Sequence, residues 1–222
     1  MDIARLIQTV LIYALPVLFA ITVHEAAHGY AARHFGDNTA YALGRITLNP
    51  LKHIDPMGTI LMPLMLYFAT SGAFLFGYAK PVPVRFGNLR NPKRDMVWVA
   101  LAGPGANLAQ ALLWGVLLYV FVGTGLTEPF FIKMCQGGML VNLVMFAFNL
   151  FPLPPLDGGR ILVGLLPWRQ AELVSRVEPY GFFIVMGLVI MGVVDKLWMR
   201  PVMAVTESVL GVLLAPLAWL VG

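Results

Sequence analysis

LIYALPVLFAITVHEAAHGY, residues 11–30, sets the class of this protein and points to its chemistry. Leu11 to Val23 is apolar apart from Tyr13 and Thr22, within an apolar run that extends over 3–32. A helix needs about 20 such residues to cross the hydrocarbon of a bilayer. Three ionisable residues then arrive within five positions: His24, Glu25 and His28. Insertion scales put the worst residues at about 2.5–3.5 kcal/mol each near a helix centre, so a cluster there requires a compensating interaction. Histidines four apart lie one turn apart on one helix face. Both imidazoles can therefore reach one cation, and Glu25 between them can address a water on it. The alternative is a pair of helix-face histidines and a glutamate satisfied by their neighbours. The two readings weigh evenly in a soluble surface helix; inside a membrane run the cation reading wins.

The rest of the chain supports a lipid solvent. Of 222 residues, 59% are apolar and only 12% are charged, with a mean hydropathy of +0.79. Ordinary soluble domains carry about 25% charged residues, so this chain cannot cover its surface with polar groups. The net charge of +4 does not indicate nucleic acid, because the basic residues sit between apolar runs, where membrane orientation accounts for them. Cys135 is the single cysteine; it can form no internal disulfide and reads as packing. The first run is too long for the core of a signal peptide, about 7–15 residues.

Further apolar runs at 57–76, 96–122, 130–151, 177–194 and 202–221 predict an all-α polytopic membrane protein of five to six transmembrane helices. All but one read as plain spans. The exception, 57–76, carries Gly58, Pro63 and the Thr70-Ser71-Gly72 break, and reads as a re-entrant hairpin near the site. Short β segments are expected at Ala42 to Leu48 and Lys80 to Val84, extended stretches that can take an unwound peptide by main-chain pairing. With no repeat or appended soluble stretch, 1–222 reads as one domain, with a catalytic core over about 3–160 and C-terminal helices over about 161–222.

A catalytic zinc site takes three protein ligands and an open position. His34 and His53 lie in polar connections and read as structural or solvated. Asp157 stands apart, between the proline-rich stretch Asn149 to Leu156 and Gly158-Gly159. Prolines there stop a regular helix, and irregular backbone at membrane depth survives only when buried or lining a wet cavity. The glycines would let the chain turn tightly and approach the ion. Spacing alone leaves two readings of Asp157, a metal ligand or a helix N-cap with Arg160 nearby.

Three motifs in order resemble the site-2 proteases, intramembrane zinc metallopeptidases: His24-Glu25-Ala26-Ala27-His28, Ala102-Gly103-Pro104-Gly105-Ala106-Asn107, and Asn149 and Pro152 leading into Leu156-Asp157-Gly158-Gly159. The stretch from Asn49-Pro50 to Gly77-Tyr78-Ala79-Lys80-Pro81-Val82-Pro83-Val84 resembles the small prokaryotic branch without PDZ or CBS domains. The resemblance implies one zinc ion held by His24, His28 and Asp157, Glu25 as general base and acid, and Asn149 helping to hold substrate. It also implies a membrane-protein or peptide substrate and a prokaryotic cytoplasmic membrane. Asn107, polar in an apolar run, is read equally as a structural hydrogen bond or a substrate contact, and Gly103 and Gly105 as close helix packing. Asp37, Asp55 and Glu128 read as solvated loop charges, and Trp98, Trp168 and Trp198 as interfacial anchors.

Depth constrains topology. His24, His28 and Asp157 each lie near the C-terminal end of an apolar run, so sharing an ion requires an even number of crossings between them. The runs 96–122 and 130–151 supply two, which is why 57–76 should not cross. With five crossings and the N-terminus outside, only Arg5, Lys133, Lys196 and Arg200 of the 15 basic residues fall outside. The positive-inside rule then opens the site toward the cytosol. A metal transporter or sensor would spread polar residues along several spans, and an inactive peptide binder would have no need of Glu25. One compact cluster with Glu25 intact favours hydrolysis. Composition and spacing leave the oligomeric state open.

Overall fold

The computed structural model describes residues 3–69, 77 and 79–221. Its first helix, α1 (Ile3–His34), ends as expected of a chain reaching Gly36, whose φ of +113° suits glycine alone. After the short α2 (Thr39–Ala42), a wide π-type turn over Pro56–Leu61 leads into α3 (Met62–Ala69). Asp55 caps that turn, accepting from Met57 N at 3.0 Å and Gly58 N at 2.8 Å, and so has a structural role that the reading as a solvated charge did not give it. α4 (Pro92–Gly123) and α5 (Pro129–Asn149) both begin with proline, at the position where a missing N–H costs nothing. They are followed by α6 (Asp157–Leu165), α7 (Trp168–Ser175), α8 (Glu178–Ile190) and α9 (Arg200–Val221).

Among the described residues, four stretches are long and apolar enough to cross a membrane: Ile7–His34, Pro92–Gly123, Pro129–Asn149 and Asp195–Leu220. A fifth exists only if α7 and α8, bent by 67° to one another, make one span. The protein is thus an integral membrane protein with four to five candidate spans. The run 177–194 is not the plain span expected. α8 has 13 residues, about 20 Å at 1.5 Å per residue, against about 30 Å of hydrocarbon. Gly192, with φ +71°, terminates it. Of the run read as a hairpin, the described residues hold the π-type turn and α3, and 70–76 lies outside the described residues.

The expected β segments are a second correction: none of the described residues is a strand. Residues 79–84 have no regular secondary structure, and Pro81 and Pro83 bring no N–H to a ladder.

α4 is the central post, touching α1, α5, α6 and α9. Between lipid-immersed helices there is little hydrophobic drive, and close packing over small residues takes its place. An added Cβ at Gly138 would sit 2.4 Å from the Trp114 ring, and one at Gly115 would sit 2.5 Å from Leu214 Cδ1. Ala111, Leu143, Leu210 and Leu214 form an apolar cluster that joins α9 to α4 and α5.

Candidate metal centre

α1 delivers His24 and His28 to the face against α4. Their rings meet edge to face, with centroids 4.7 Å apart. Each ring is held from behind. His24 Nδ1 lies 2.6 Å from Asn107 Oδ1, and His28 Nδ1 lies 2.7 Å from the Val99 carbonyl oxygen. Asn107 can offer only its oxygen, because its Nδ2 donates to Ala20 O (3.2 Å) and to Asn142 Oδ1 (2.9 Å). Asn142 in turn donates to Gly138 O at 2.9 Å. Each Nδ1 therefore faces an acceptor and carries the proton, and each Nε2 of a neutral ring presents a lone pair.

Those two Nε2 atoms stand 3.1 Å apart, and each lies 3.3 Å from Asp157 Oδ2. One potential ligand atom from each of His24, His28 and Asp157 falls within 4.8 Å of the others. With both rings neutral, three acceptors converge with no proton between them, and Asp157 Oδ2 is buried without a hydrogen-bond partner. Such an arrangement calls for a cation. Bonds of about 2.0–2.2 Å at tetrahedral angles place ligand atoms about 3.3 Å from one another, so the donor set and its spacing fit zinc.

Asp157 comes from the opposite side, at the first position of α6. Leu156, not Asp157, is the N-cap, and no side chain caps that end, which disposes of the capping role that spacing left open. Gly158 and Gly159 serve differently from expectation. A Cβ on Gly158 would sit 2.1 Å from Leu150 O, and one on Gly159 would sit 2.1 Å from Pro154 N. They press the start of α6 onto the backbone of 150–154, and so fix the height at which Asp157 meets the imidazoles.

Gly103 has a sharper role than helix packing. A Cβ there would lie 2.3 Å from His28 Nε2 and 2.6 Å from His24 Cε1, so the missing side chain is the space the rings occupy. Pro104, next in sequence, lacks the N–H that would bond Ala100 O and crowds that turn. The helix ladder is thus interrupted beside the Val99 carbonyl that turns to His28.

Glu25 is half-buried, and its Oε2 accepts from Val82 N at 2.7 Å. Asn149, at the end of α5, turns its Nδ2 back to Met145 O at 3.0 Å. His53 is buried with its Nε2 2.9 Å from Thr47 O, and His34 is exposed; neither joins the centre. Cys135 is fully buried and Glu128 is exposed, as read. Trp98 and Trp168 are largely exposed, but Trp198 donates its Nε1 to Ala147 O at 2.7 Å and packs on Phe151. Asp37 is a correction: it is fully buried, accepting from Thr39 N (3.0 Å), Arg85 N (2.7 Å) and Asn88 Nδ2 (3.1 Å). Burial works to raise its carboxyl pKa, but a hydrogen bond from the Thr39 hydroxyl together with these bonds outweighs burial and holds it below the ordinary carboxylate range. Asn142 was missed, although its signal, an amide within an apolar run, was the one that singled out Asn107.

The chain is 39% identical over 182 residues to YwhC of Bacillus subtilis, provisionally named a zinc metalloprotease, covering 78% of this chain and 77% of that one. A profile of peptidase family M50 matches residues 130–192, which hold Asn142, Asn149 and Asp157. The chain belongs to peptidase family M50, the site-2 proteases. Another relative, Rip2 of Mycolicibacterium smegmatis, is 32% identical over 174 residues, covering 78% of this chain and 64% of Rip2. MJ0611 of Methanocaldococcus jannaschii is 36% identical over 66 residues, 29% of this chain and 31% of its own length. Both carry the same provisional zinc metalloprotease name. The chain spans less than two thirds of Rip2. No solved structure matches it.

Proposed function

We propose that this M50 protein is an intramembrane zinc metalloendopeptidase, in which His24, His28 and Asp157 hold one zinc ion and Glu25 is the general base. The observation that carries the reading is the meeting of three buried acceptor atoms, 3.1–3.3 Å apart, with no donor among them. Bound zinc would supply a Lewis acid and lower the pKa of water toward about 7. Glu25 takes a proton from the attacking water and returns it to the leaving amine. Asn107 and Asn142 hold His24 in the tautomer that binds metal, and the Val99 carbonyl does the same for His28. The substrate is a membrane-spanning or membrane-proximal peptide, unwound locally so that its carbonyl can reach the site. Asn149 helps to retain it there, and the site opens toward the cytosol in a prokaryotic cytoplasmic membrane.

The test uses purified protein in liposomes with a model transmembrane substrate. Wild type should cleave and stop on chelation. Glu25→Gln should retain one zinc per chain and lose about 10²–10⁴-fold in rate, and His24→Ala should lose the metal. Equal cutting by all three, with and without chelator, ends the proposal.

A further inference from the structure

Glu25 and Gly29, one turn apart, share the face of α1 that the segment 79–84 crosses. A Cβ on Gly29 would lie 2.9 Å from Ile46 Cγ1 and 3.2 Å from Val82 Cγ1, so the absent side chain lets the segment come close. At this crossing Val82 N donates to Glu25 Oε2 at 2.7 Å. The segment is fixed at both ends of the crossing. Lys80 N donates to His53 O at 2.9 Å, and Arg45 Nη2 donates to Lys80 O at 2.9 Å and Pro81 O at 3.3 Å. On the far side, Arg85 N donates to the buried Asp37. Pro81 and Pro83 carry no N–H, so Val82 supplies the one main-chain donor of this triplet. Because it precedes a proline, Val82 is also held extended, which sets the direction of its N–H.

We infer that the Val82 N–H is a positioning group for Glu25: it ties Oε2 and leaves Oε1 to exchange the proton. The inference rests on Glu25 being the general base. A glutamate has three torsions to arrest, and a short, charge-assisted bond to rigid backbone arrests them without adding a competing charge. The sequence Pro81-Val82-Pro83 thereby acquires a purpose apart from substrate pairing, since its central N–H is committed inside the protein.

Val82 precedes Pro83 and is biased toward the extended region that proline also occupies, so Val82→Pro is the substitution that removes the N–H with the least change to the main chain. Val82→Ala loses the side chain but keeps the donor. In full-length, zinc-loaded protein both should hold wild-type zinc and show similar KM. The kcat of Val82→Pro should lie about 10–100-fold below that of Val82→Ala, the range seen when outer-shell partners are removed. Equal kcat in the two variants, or a loss carried by KM, overturns the inference. Hydrogen exchange at the Val82 amide gives a readout independent of turnover. Exchange should be slow in wild type and Glu25→Gln, where an oxygen still accepts, and about tenfold or more faster in Glu25→Ala. The same rate in all three removes the bond. If Glu25→Gln cleaves normally, the base assignment fails and the catalytic role of Val82 with it. If Glu25→Gln is inactive while Val82→Pro matches Val82→Ala, only the positioning role fails.

Discussion

Along α4, two neighbouring regions hold helices together by different means. Around Gly103 and Asn107, contacts with α1, α5 and α6 are directional, made by imidazoles, amides, carbonyls and the Asp157 carboxylate. From Ala111 to Gly115, contacts with α5 and α9 are apolar, leucines against small residues. Little more than one turn separates the regimes. In lipid neither region gains much from excluding water, so each stands on contact quality. Apolar contacts tolerate sliding by a fraction of an ångström, but a hydrogen-bond chain ending on a metal ligand does not. The end that carries the proposed metal centre is therefore the more tightly constrained one.

The largest expected effect exploits two glycines of this one helix. Gly103→Ala places a carbon where the imidazole nitrogen of His28 lies and should weaken zinc binding about 100-fold, with activity falling in step. Gly115→Ala meets the Leu214 side chain and neither imidazole, so its cost falls on packing, and zinc and turnover should stay near wild type. Metal titration of both variants decides it, and equal affinities would erase the distinction between the regions. Next in size, Asn107→Ala leaves His24 Nδ1 without its acceptor and should cost about tenfold in zinc affinity. Asn142→Ala, one bond further out, should cost less. The reverse order would show that the amide chain does not end on His24.

On the apolar side, Leu210→Ala should lower stability by about 1–2 kcal/mol, less than the 2–5 of a water-soluble core, because no transfer from water is involved. Zinc content should not change, and calorimetry with metal analysis checks both. The smallest effect belongs to Asp37, which ties the end of α1 to the 85–88 loop and so to the segment over Glu25. Its folded pKa is depressed, so its contribution is complete above the unfolded value of about 3.9 and is lost as pH falls through the folded value. Asp37→Asn should therefore be less stable by about 1 kcal/mol near pH 7. The gap should close below about pH 4, as thermal midpoints across pH 3–7 would report; a gap that widens on acidification contradicts the assignment.

What the sequence determined is what local periodicity encodes. A long apolar run, two histidines one turn apart and a glutamate between them define a membrane helix that carries a candidate metal-binding face. The proline-glycine stretch around Asp157 marked a break in helix at one end of a run. Length and hydropathy could not tell a span from a bent pair, because they do not register the 67° turn between α7 and α8. Nor did an extended, proline-rich stretch amount to a strand, since a strand needs a partner as well as a conformation.

Only the tertiary structure decided what stands behind each ligand. Asn107 lies 83 positions from His24, and the Val99 carbonyl lies 71 from His28. At that separation no spacing rule applies, and a backbone carbonyl leaves no mark in sequence at all. Asp37, Val82 and Gly103 took their roles for the same reason. Each acts through an atom, or the lack of one, whose partner is set by how helices and loops pack and not by the residues beside it.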